Sequence, residues 1–206
     1  MWKDLSAAWQ AAFEEAWDSF RHGSIPIGAV IADENGNVIL KEHNRGNEEG
    51  TVNRSISHAE ANALHRLDTA RYDPGTLTLY TTMEPCPMCF GTAVMSNIKH
   101  VRYAARDPHC GFVHIREFDP YVSERTRDFL LMGQEYELVQ LTLQSYHELR
   151  YASEHHCGSL ADEFRTVSEE AVDLAGKLFA EKTLDVLACS GEKIGTVFDL
   201  ILSRMK

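Results

Sequence analysis

Nothing in the chain constrains its fold more than two short motifs, His58-Ala59-Glu60 and Pro85-Cys86-Pro87-Met88-Cys89, with 24 residues between them. Each opens a helix, so the fold must set two helix starts where their first residues can share one task. Zinc takes nitrogen and sulfur ligands in a tetrahedron, and a catalytic zinc keeps one position for water. One histidine and two cysteines supply three ligands. The cysteines stand at i and i+3 on a helix start, so both sulfurs can face one way, and the helix dipole and a metal there favour thiolate over thiol.

Periodicity places the motifs in a layered frame. Leu5, Ala8, Trp9, Ala12, Phe13, Ala16, Trp17 and Phe20 recur at helical spacing, so residues 4–22 read as a helix with a core-facing stripe. The segment 26–32 is a buried-type strand, Asn35-Gly36 a turn signal, and Val38-Ile39-Leu40 the returning strand of a hairpin. Residues 44–56 read as an exposed loop. A helix from His58 through Leu67, a break at Asp73-Pro74-Gly75, a strand over 76–81, a helix from Cys86 to Ser96 and a strand over 100–105 follow. This alternation implies a sheet covered by helices on both faces.

Beyond residue 110 the pattern predicts a helix over 120–132, a strand over 136–143 and a helix over 144–155. His155-His156-Cys157-Gly158 reads as a polar helix end and a link. Ser159-Leu160-Ala161-Asp162 then resembles a capping start for a helix carrying Phe164, Val167, Ala171, Leu174, Leu178 and Phe179. A last helix carries Ile194, Val197, Phe198, Ile201 and Leu202. The expected division is a domain over 1–156 and a helical C-terminal extension over 157–206.

Replacing a ring amine by oxygen takes a proton from the attacking water and delivers protons to ring and amine nitrogens. One carboxylate beside a metal can make each transfer in turn, and Glu60 is read as that shuttle. Other chemistries compete for parts of the pattern. A CxxC motif at a strand-to-helix junction also serves thiol–disulfide oxidoreductases, a reading that leaves His58 and Glu60 without a task. A closed structural zinc module needs a fourth ligand, and no convincing one stands near the motifs. The ordered pair H-x-E and P-C-x-x-C is the signature of zinc deaminases.

Pro26-Ile27-Gly28-Ala29-Val30, Asn44-Arg45, His58-Ala59-Glu60, Thr82-Met83-Glu84-Pro85-Cys86-Pro87-Met88-Cys89, Ser96 and Ala105-Arg106-Asp107 together resemble the cytidine/deoxycytidylate deaminase superfamily. Its tRNA adenosine deaminase and guanine deaminase branches are the most similar, over about residues 5–110. The resemblance implies an α/β fold with a three-layer α/β/α sheet, hydrolytic deamination releasing ammonia, and a homodimer. It implies one Zn2+ per chain on His58, Cys86 and Cys89, with Glu60 as the catalytic residue. Asn44 matches a side chain that contacts the substrate ring, and the main chain at Ala59 is similarly placed to orient it. His109 follows Asp107-Pro108 on a loop that lies near the substrate in such proteins, so it is carried as a further substrate contact. The substrate implied is a nucleobase, nucleoside or related aminated heterocycle, purine-type rings favoured. The alternative is adenosine in tRNA, converted to inosine.

Charge bears on that choice. The chain holds 20 basic and 31 acidic residues, a net charge of −11. Neither half carries the basic stripe of a protein that neutralises phosphates, so a small molecule is expected over tRNA. No stretch approaches the roughly 20 apolar residues that span a bilayer. The first 20 residues set acids among apolar residues, as an amphipathic helix does and a signal peptide does not. The expectation is a cytoplasmic protein with no membrane partner. The five cysteines are an odd number at no framework spacing, and the close pair Cys86 and Cys89 reads as metal-binding or redox-active rather than as a structural disulfide.

Overall fold

The computed structural model describes residues 1–205. A five-stranded sheet forms its centre. Strands β1 (Gly28–Ala32) and β2 (Val38–His43) make the expected hairpin, and β1 also runs antiparallel to β3 (Thr78–Met83). From β3 onward the sheet is parallel, through β4 (His100–Ala105) to β5 (Asp128–Leu131).

Helices cover both faces, because alternate strand residues point opposite ways. Ala29, Ile31, Leu79, Val101 and Phe129 pack with α2 (Ala59–His65) and α3 (Pro87–Met95). Val30, Ala32 and Ala104 pack on the other side with α1 (Ala7–Arg21) and the long α5 (Gln134–His155). A side chain at Gly28 would place its Cβ 2.0 Å from the carbonyl oxygen of Ala12. Glycine there lets the strand press against α1.

Three expectations beyond residue 110 are corrected, the last of them the cap of the helix that follows α5. The helix read over 120–132 stops early: α4 covers Pro120–Arg125, and 128–131 form β5. Pairing with β4 decides this, since Phe129 lands against Phe90 with ring centroids 5.4 Å apart. Such a partner is remote in sequence. The strand read over 136–143 is the first half of α5. Its apolar residues alternate because the helix is buried on two sides: Val139, Leu143 and Tyr146 face the α1 core, while Leu141 joins a separate cluster with Met83 and Phe164. A helix buried nearly all round loses the stripe that betrays its period.

After α5, His156 takes a left-handed conformation (φ 53°) and turns the chain. A 3-10 segment, Ala161–Thr166, precedes α6 (Glu169–Ala180), whose cap is Ser168 rather than Ser159. A short helix that periodicity had not resolved, α7 (Thr183–Cys189), leads to α8 (Ile194–Arg204). Leu174, Leu178, Leu184, Val197, Phe198 and Ile201 join the same core as Trp9, Phe13 and Trp17 of α1. Trp17 also donates its indole N–H to the Glu192 carbonyl at 2.8 Å. Among the described residues no helix is long and apolar enough to cross a membrane.

Candidate active site

The two motifs meet at the edge of the sheet where parallel strands β3 and β4 end, the edge at which open α/β sheets take ligands. His58 is the N-cap of α2 and Cys86 the N-cap of α3, with Pro87 at the first helical position. Both caps have extended backbone, so each side chain leaves its helix start toward the same point. His58 Nδ1 lies 3.5 Å from the sulfurs of both Cys86 and Cys89. Ligand bonds of zinc lengths at tetrahedral angles put nitrogen and sulfur about 3.5 Å apart. The three side chains therefore fit a zinc ion, and three donors leave a fourth position.

The donors are electrostatically prepared. A hydrogen bond from Cys89, aided by His58, holds the Cys86 thiol down to about 4, so it stands as thiolate. Cys89, beside that thiolate and buried, is pushed up, and a metal must displace its proton. Glu60 is 3% exposed and contacts the Cys89 sulfur at 3.4 Å. Burial raises its carboxyl above the ordinary range. A buried carboxyl that can exist in either form suits proton transfer.

His58, Cys86 and Glu60 line a cavity of about 120 Å3, with Asn44, Ile27, Glu84, Asp107 and His109 in its wall. Asn44 is held by its main chain, whose N–H donates to Ile27 and whose carbonyl accepts from Ser19. Its Oδ1 accepts from the Gly46 N–H at 2.8 Å, which leaves the amide nitrogen to act as a donor. Glu84 follows β3 and accepts from the main-chain N–H groups of Asp107 and Val113, fixing the loop after β4. A Cβ at Gly111 would meet that carboxylate at 2.6 Å. His109 lines the cavity, and its Nδ1 lies 2.8 Å from Glu163 of the 3-10 segment. Ala59 is fully buried at the head of α2 and is not part of the wall.

Five wall residues escape sequence reasoning: Ile25 from the segment before β1, Gln144 and Glu148 from α5, and Leu160 and Phe164 from the segment that follows it. Gln144 and Glu148 stand at i and i+4, so one helix face serves both, and that spacing is the one signal that could have paired them. A larger groove of about 850 Å3 runs between α1 and α8, past Trp17 and Ile194, and contains none of the motif residues.

Comparison with known proteins bears on the same residues. Residues 3–105 match the family described as the cytidine and deoxycytidylate deaminase zinc-binding region. The tRNA-specific adenosine deaminase of Bacillus subtilis is 41% identical over 104 residues, which are 48% of this chain and 61% of that protein. That of Aquifex aeolicus is 38% identical over 111 residues, 52% of this chain and 70% of that protein. The chain thus spans about three fifths of the length of the Bacillus relative. Among solved structures, a diaminohydroxyphosphoribosylaminopyrimidine deaminase/reductase from Thermotoga maritima shares the fold. Its TM-score is 0.52 at 22% identity, covering 73% of this chain and 41% of that one. With the matched region holding both motifs and the three convergent donors, the chain belongs to the cytidine and deoxycytidylate deaminase family, whose zinc-binding region it carries.

Proposed function

We propose that the protein is a zinc-dependent hydrolytic deaminase of a small aminated heterocycle, a nucleobase or nucleoside with a purine-type ring favoured. The observation that carries this reading is the convergence of His58, Cys86 and Cys89 with the buried carboxyl of Glu60 against them. His58, Cys86 and Cys89 would hold the metal, which supplies a Lewis-acidic position where water loses a proton near neutral pH. Glu60 takes one proton from the attacking water and passes it to the ring nitrogen, then takes the second from the hydroxyl now on the ring carbon and passes it to the departing amine. Water and the amine-bearing carbon thus become a ring carbonyl and ammonia. Asn44 orients the ring through its free amide N–H, and His109 completes the contacts, whereas Ala59, expected to help orient the ring, lies outside the cavity wall.

The same reading divides the chain into a deaminase domain over 1–156 and a helical extension over 157–206, and it carries a homodimer in the cytoplasm. A thiol–disulfide role for Cys86 and Cys89 would leave His58 and Glu60 unexplained. A second substrate reading, adenosine in tRNA, is favoured by the names of the relatives. Against it stand the net charge of −11 and the segment bearing Leu160 and Phe164, which walls the cavity from outside the matched region.

Ammonia release from a panel of bases, nucleosides, aminated heterocycles and an anticodon stem-loop tests the proposal. The expected result is turnover of a small compound, with the stem-loop neither converted nor inhibitory. Conversion of the stem-loop alone would select the second reading.

A further inference from the structure

The cavity at the metal ligands does not end there. A cleft of about 360 Å3 adjoins it, and the two share Ile25, Asn44, His58, Glu148 and Leu160 in their walls. The inner cavity has room for a ring system and little more. Ligand sites generally run to several hundred cubic ångströms, so the space available continues outward past Glu148.

We propose that this cleft is a subsite for the sugar of an uncharged nucleoside, and that Glu148, positioned by Gln144, reads the sugar hydroxyls. The proposal rests on the deaminase reading above. Gln144 is 5% exposed and donates its amide N–H to Glu148 Oε1 at 2.9 Å. Its own Oε1 is buried without a partner among the described residues. Glu148 makes no ion pair among the described residues, so its remaining acceptor sites are uncommitted. An amide oxygen and a carboxylate side by side are acceptors only. They call for a ligand group that brings donors, and a carboxylate bonded to a ribose hydroxyl is how dinucleotide sites meet the same need.

Charge selects against phosphate. Glu60, Glu84, Asp107 and Glu148 line the two spaces, and Arg54 is the one lysine or arginine among their wall residues. In the outer cleft a phosphate would meet Glu148 as well as Arg54, so no net positive charge receives the anion of a nucleoside monophosphate or an RNA backbone. Leu160 lines both spaces, and the His109–Glu163 contact ties its segment to the loop after β4.

The test is kinetic, on the full-length zinc-loaded protein, with a free base, its nucleoside and its 5′-monophosphate compared for ammonia release. The nucleoside should exceed both others in kcat/KM by about tenfold or more. Glu148→Gln keeps the shape and removes the charge, and it should cut the nucleoside-to-base ratio of kcat/KM at least tenfold, mostly through KM. Leu160→Trp, which fills the cleft from a part-exposed position, should cut the same ratio. A wild-type preference for the base or the monophosphate overturns the proposal, as does a ratio unmoved within twofold in both variants. If no compound in the panel releases ammonia, the deaminase reading fails by itself. Calorimetric titration with the nucleosides then decides the subsite: binding weakened by Glu148→Gln supports it, and no binding overturns it.

Discussion

His43 shows at the residue scale how the site's margin is held. Its ring sits between Glu15 and Glu48, with nitrogen–oxygen distances of 2.9 and 2.6 Å, and it precedes Asn44 directly. Burial alone would push the imidazole down, but hydrogen bonds to Glu15 and Glu48 hold it above its ordinary value. A folded-state value above the unfolded one means that the stabilisation is complete below the unfolded pKa, about 6.5. It fades as pH rises through the folded value. His43→Gln should therefore cost more stability at pH 6 than at pH 9, measured by urea unfolding at both. An equal loss at the two pH values would show that His43 acts by packing alone. The motif residues were legible one by one because a metal's demands are local: donor type, spacing and a helix start. Gln144, Glu148, Leu160 and Phe164 were not, because nothing in their own neighbourhoods says that tertiary packing brings them to His58.

Among the elements, α1, the β1–β2 hairpin, α2, β3, α3 and β4 follow from their own periodicity and turns, and all lie within the region shared with relatives. The errors fall where a partner decides. The four residues of β5 are a strand because β4 offers them an edge, and α5 hides its period because it is buried on two sides. The contact between α1 and β1 is the tightest seam in this frame. Gly28→Ala would drive a methyl group into the Ala12 carbonyl and the Ala16 N–H, at 2.0 and 2.5 Å. Overpacking of this kind costs about 1–3 kcal/mol, and the unfolding midpoint should fall by several degrees. A midpoint within one degree of wild type would mean that α1 is free to shift.

For the whole molecule, residues beyond 157 are bound into the main core rather than laid on its surface. Trp9, Phe13 and Trp17 on α1 share one apolar cluster with Leu174, Leu178, Val197 and Phe198. Removing those helices would bare an aromatic face that water does not tolerate as a broad patch. Truncation after Gly158 should give aggregation or a changed oligomeric state by light scattering, and a soluble fragment of unchanged size and full activity would contradict this. The central claim, that three donors hold a zinc while Glu60 moves the protons, is tested most directly by measuring zinc content and ammonia release together. The Glu60→Ala variant should keep about one zinc per chain and lose at least 100-fold in turnover, whereas Cys89→Ala should lose both metal and activity. A Glu60→Ala protein that deaminates at the wild-type rate would contradict the account.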